Sequence, residues 1–141
     1  MLGRKTYEKG ELDHARTAIQ QQTAAHRKLA AALATGGGPA ASALEEFDRQ
    51  FFNNLTLVLD RYFVHRIRPV AGKDGNPLNE VELICESLMS NSGIFRGNNV
   101  IKYVPAQSVV KLEVGDRIEL TADDFDRLSA AFFGELERRF L

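Results

Sequence analysis

Residues 42–66 contain neither glycine nor proline. Within them Leu44, Phe47, Phe51, Phe52, Leu55, Val58, Leu59, Tyr62 and Phe63 fall inside an arc of about 160° when each residue advances 100° round a helix. A helix of that length with so broad an apolar face has to lay that face against other elements, so the chain is constrained to a packed, mainly helical domain. The flanking sequence is punctuated to match. Residues 7–35 repeat Leu12, Ala15, Ile19, His26, Ala30 and Leu33 at helical spacing, with Gly10 as the one breaker, and the GGGP run at 36–39 separates this first helix from the second. Ser42, with Glu45 three residues on, reads as the N-cap of the second helix, and Pro69 sets its end near residue 66.

Beyond it, Asp74-Gly75 and Asn76-Pro77 are turn dipeptides and make 71–79 a loop. Asn79 is the expected cap of a third helix over 79–92, whose apolar stripe is Val81, Ile84, Cys85 and Leu88. Between 99 and 121 the residue types switch to Val, Ile and Tyr with shorter periodicity, which predicts a small antiparallel sheet of two to three strands. A loop over 115–117 would pair Val114 with Ile118 and Leu112 with Leu120, putting apolar residues on one face. Thr121, with Asp124 three residues later, opens a last helix over 122–140 striped by Phe125, Leu128, Phe132, Leu136 and Phe140. The expected architecture is one mainly α (α+β) domain over 1–141: about four helices, the long second one central, with the small sheet before the C-terminal helix.

No motif in the chain reaches the specificity of a catalytic or metal signature. The polar residues that call for an account sit on the second helix, where Asn54, Arg61 and His65 line up in one stripe and Asn53 and Asp60 in the next, interrupted by Leu57 and Val64. Three readings are open. The favoured one makes them partly buried groups that satisfy loop backbone or one another. A second makes them the rim of a subunit interface centred on Leu57 and Val64. A third makes them a ligand-binding or catalytic pocket, with His65 as acid or base tuned by Asp60 or Arg61, Asn54 as a hydrogen-bonding group, and Arg96 from the RGNN loop at 96–99 as an anion grip.

Other chemistries are disfavoured. Cys85 is the single cysteine and the three histidines are scattered, so no metal site and no cofactor is expected, and no intrachain disulfide can form. The DGN at 74–76 is not a calcium loop, because Asn79 and Cys85 stand where an EF-hand needs glycine and glutamate. The glycines at 36–38 lack the lysine and the preceding strand of a phosphate loop, and Ser90 and Ser92 lack a nucleophile-elbow context. Lys and Arg number 18 against 19 acidic residues, and the aromatics fall on helical stripes instead of interleaving with basic residues, so no nucleic-acid partner is expected. No apolar stretch approaches the roughly 20 residues of a membrane span, nor does the N-terminus carry a signal-peptide pattern, which together imply a cytoplasmic protein without membrane association.

The segments FFNNLTLVLDRYFVHR at 51–66, GKDGNPLNEV at 72–81 and SVVKLEVGDRIELTADDFDRLSAAFF at 108–133 resemble a group of small uncharacterised actinobacterial proteins. The resemblance implies a bacterial cytoplasmic setting and carries no activity with it. The functional expectation is a non-enzymatic protein acting through self-association, as a homodimer, motivated by Leu57, Val64 and Phe133 lying outside the neat core stripes. The alternative is a protein that binds an unidentified small molecule, or an enzyme, with its pocket around His65, Asp60 and Arg61.

Overall fold

The computed structural model describes residues 3–141; Met1 and Leu2, part of the N-terminus read above as lacking a signal peptide, lie outside them. Five helices follow one another: α1 (Lys9–Leu33), α2 (Gly38–Tyr62), the single-turn α3 (Arg68–Ala71), α4 (Pro77–Ser90) and α5 (Ala122–Phe140), with a 3-10 turn at Pro105–Gln107. Helix accounts for 65% of the described residues, enough to make the fold mainly α.

α1 and α2 form a helical hairpin, 25 residues in each arm and so about 37 Å long. α2 begins earlier than a Ser42 cap would place it. Gly37, at φ 80°, serves as N-cap and Pro39 occupies the first turn, where its fixed φ suits the helix and its missing N–H is no loss. The GGGP run therefore starts a helix as well as ending one. At the other end α2 stops at Tyr62, four residues short of expectation, because the chain turns so that the Arg66 side chain can reach back to Asp60. Pro69 then lies in the first turn of α3. α4 likewise starts before its expected cap: Asn76 is the N-cap, its Oδ1 accepting from the amides of Leu78 at 3.0 Å and Asn79 at 3.3 Å. α5 opens on a reciprocal cap, Thr121 Oγ1 accepting from Asp124 N at 3.0 Å and Asp124 Oδ2 from Thr121 N at 3.1 Å.

α2, α4 and α5 pack against one another, and α1 lies on α2 and α5. The most enclosed element is α4, whose buried residues are Leu78, Asn79, Glu80, Val81, Leu83, Ile84, Cys85 and Ser87. The core is rich in phenylalanine: Phe52, Phe63, Phe95, Phe125, Phe132 and Phe140 are each fully buried.

The expected sheet is absent: no strand occurs among the described residues, only isolated bridges. The register argument fails for a specific reason. The backbone that was to pair within a 112–120 hairpin pairs instead with the loop after α4. Phe95 N donates to Asp116 O at 2.8 Å, Gly115 N to Phe95 O at 2.8 Å, and Ile118 N to Gly93 O at 2.8 Å. Val114 is 69% exposed while Ile118 and Leu120 are buried, so the two sides of the expected hairpin do not share a face. The apolar β-type residues of 99–121 cover the core as an irregular strap and draw much of their hydrogen bonding from side chains.

Candidate functional site

Side chains hold that strap. The Asn53 amide works as a one-residue strand partner, donating to Ile118 O at 2.8 Å and accepting from Leu120 N at 3.1 Å. Tyr103 donates its hydroxyl to Leu112 O at 2.6 Å. Glu80, 1% exposed, receives Val109 N at 2.8 Å on one carboxylate oxygen and Val110 N at 2.9 Å on the other. Burial raises the Glu80 pKa above the ordinary carboxylate value, and the two amide donors pull in the opposite direction. The sequence did hold a signal for this residue: Glu80 precedes Ile84 by four and so lies on the apolar side of α4.

The loop at 71–79 is closed by a similar network. Asn79 Nδ2 donates to Gly72 O and Asp74 O, Asn76 Nδ2 to Ala71 O, and Arg68 to both Asn79 Oδ1 and Glu82. Arg139 of α5 donates to Ala71 O at 3.1 Å. Its guanidinium also lies 2.8 Å from where a Gly72 Cβ would stand, and Gly72 is at φ 77°, so glycine is required there twice over.

The five residues that sequence reasoning grouped as a candidate site are dispersed. Asp60 accepts from Arg66 at 2.9 Å, and this guanidinium is almost fully buried, also donating to Phe63 O and lying 5.3 Å from the Phe132 ring centroid. Asn54 and Arg61 are exposed on the outward side of α2, and His65 is exposed in the turn beyond it, where its carbonyl accepts from Arg4 N. Arg96 is exposed past the C-terminal end of α4, near Asn91. Cys85 is buried with its thiol toward Thr56 O at 3.6 Å, and burial pushes its pKa well above the ordinary thiol range, the opposite of what a nucleophile needs. Among the described residues no three His, Cys, Asp or Glu side chains gather in metal-binding geometry. Among the described residues no helix is long and apolar enough to cross a membrane.

What the structure does assemble is an apolar surface along the hairpin. The core uses only part of the α2 arc. Its buried residues Phe52, Leu55, Thr56 and Leu59 centre about 100° round the helix from Phe47, Phe51, Val58 and Tyr62. Of that second group Phe47 is 46% exposed, Val58 39% and Tyr62 40%, with Phe51 half-buried. Two grooves lie along this side. One, of about 460 Å³, is lined by Leu57, Val58, Arg61 and Tyr62 of α2 and by Met89 of α4, which is 72% exposed. The other, of about 230 Å³, lies between Gln22, Ala25, His26 and Leu29 of α1 and Phe47 and Phe51 of α2. Its wall is braced by His26, whose Nε2 is 2.6 Å from Asp48 Oδ1 and whose ring stacks on Phe51 with centroids 5.6 Å apart, while Phe51 stacks in turn on Phe47. The sequence placed His26 on a helical stripe but gave no sign of its partner, which lies on the other arm. Of the residues singled out as lying outside the core stripes, Leu57 lines the larger groove and Val64 is exposed, whereas Phe133 is buried beneath Arg16.

The chain matches no protein-family model, and neither curated proteins nor solved structures include one similar to it.

Proposed function

We propose that this chain acts through association with a second copy of itself and not by catalysis. The observation that carries the reading is the unused half of the α2 apolar arc: Phe47, Val58 and Tyr62, joined by Leu29 and Met89, stand exposed together beside two apolar grooves. Scattered exposed apolar residues are ordinary on a monomer, whereas a continuous band along one helix is the pattern of a surface that is covered in use. The small-molecule alternative is left with less support, since of the five grouped polar residues Arg61 alone lines either groove and Asp60 is already engaged by Arg66. A cytoplasmic setting belongs to the same proposal and rests on the lone, buried cysteine.

Light scattering on a size-exclusion eluate, repeated over dilution from about 100 μM to 1 μM, tests the proposal. Twice the chain mass at the upper end is expected, falling toward the chain mass on dilution. A single-chain mass throughout refutes it.

A further inference from the structure

We infer that the second copy docks antiparallel on the α1/α2 face, α2 against α2, about a twofold axis passing between Asn54 and Leu55, so that the two hairpins close into a four-helix bundle. The inference rests on the self-association reading and adds the surface, the direction and the register.

The placement of the apolar residues sets the register. Phe47 and Tyr62 are equidistant from the peptide bond joining Asn54 and Leu55, and so are Phe51 and Val58. All four lie in one sector of the helix surface, spanning about 60°. A twofold axis crossing α2 at that point therefore sets Phe47 against Tyr62 of the other copy and Phe51 against its Val58. A surface that meets itself has to be self-complementary in this manner. A parallel pairing would instead stack each of these residues on its own equivalent.

The grooves agree with this arrangement. The larger one lies at the level of Val58 and Tyr62, opposite Phe47 and Phe51 of the other copy; the smaller lies at the level of Phe47 and Phe51, opposite Val58 and Tyr62. Each groove thus faces the side chains able to fill it, as knobs enter holes in packed helices. Beside α2 the outward side of α1 is built from Ala18, Gln22, Ala25 and Leu29, residues small or flexible enough to let a partner helix approach. Asn54 meets its own equivalent at the axis, where one amide in an otherwise apolar seam fixes register.

The area is sufficient as well: two helices about 37 Å long and 10 Å wide present about 700 Å² per copy, close to the roughly 800 Å² per partner of a standard stable interface.

Cross-linking of the full chain in a Cys85→Ala background with a short bismaleimide tests the register. Asn54→Cys is expected to give a covalent dimer alone. Phe47→Cys and Tyr62→Cys are expected to cross-link when the two proteins are mixed, and each only weakly by itself. A dimer by light scattering that fails to cross-link through Asn54→Cys overturns the register while leaving self-association standing. Phe47→Cys cross-linking to itself as readily as to Tyr62→Cys does the same, and a chain monomeric at all concentrations overturns both.

Discussion

Glu80→Ala removes the one side chain that holds the amides of Val109 and Val110. Each stranded buried donor costs about 1–3 kcal/mol, so two could cost about 4 kcal/mol. Val109 and Val110 are half-buried, which lets water reclaim part of that, and the mutant is relieved of desolvating a carboxylate; about 3 kcal/mol of lost stability is the resulting expectation. With a urea dependence of about 1.5 kcal/mol per molar, the midpoint should fall by about 2 M in unfolding followed by circular dichroism at 222 nm. Glu80→Gln keeps one acceptor and turns an amide N–H toward the second donor, so about half the loss is expected. The pH dependence has a definite sign. Because burial raises the folded-state pKa above the unfolded one, the stability that this group's protonation contributes is fully present below the unfolded value and is lost as pH rises through the folded value. The stability gap between wild type and Glu80→Gln should accordingly narrow as pH rises above the ordinary carboxylate range. Glu80→Ala within about 0.5 kcal/mol of wild type would sink the claim that this carboxylate holds the strap. A gap that widens with pH would mean that the two hydrogen bonds outweigh burial.

Asn53→Ala should cost about 2 kcal/mol by freeing Ile118 O and Leu120 N, and hydrogen exchange should accelerate at the Leu120 amide more than at α5 amides; uniform acceleration would argue against a local staple. Arg66→Met should cost about 3 kcal/mol, because it leaves Asp60 without its cation, and adding Asp60→Asn should recover part of this in a double-mutant cycle, additivity being the contrary result. Native Cys85 should stay unmodified by a thiol reagent up to pH 9 and react fully in urea, since burial raises its pKa. Rapid native labelling that grows with pH in this range would show the thiol to be reachable and ionised.

The mainly helical character of the chain was legible in local signals. The reciprocal Thr121 and Asp124 cap and the Phe125 to Phe140 stripe define α5 without reference to anything distant. The sheet was misread because strand-like residue types record only that a segment half-covers a core. Which backbone meets which was decided by residues 93–95 and by Asn53 and Glu80, all remote in sequence from the 112–120 segment. The helix starts differ from expectation for a simpler reason: proline suits the first turn of a helix as well as it ends one, and both Pro39 and Pro77 lie in first turns. On α2 the stripes were correctly separated by periodicity, but periodicity gives no information on what lies opposite a stripe. Asn53 and Asp60 found partners within the chain, while Asn54 and Arg61 face outward.

The strap and the hairpin surface are two consequences of one arrangement. With no ladder to tie residues 91–121, the chain relies on polar side chains, Glu80 on the apolar side of α4 and Asn53 outside the apolar arc of α2, and these hold the strap against both helices. Packing against α1, α4 and α5 takes the sector of α2 around Leu55 and Leu59 inward and leaves the sector around Phe47, Phe51, Val58 and Tyr62 at the edge of the core. A single core flanking one helix takes up roughly 100° of its circumference, and the α2 arc is about 160° wide. The surplus has to be reconciled either with water or with a second surface. Exposing large aromatic and aliphatic groups forgoes about 25 cal/mol for each Å² left wet, and a partner presenting the same band in the opposite direction removes that cost for both copies at once.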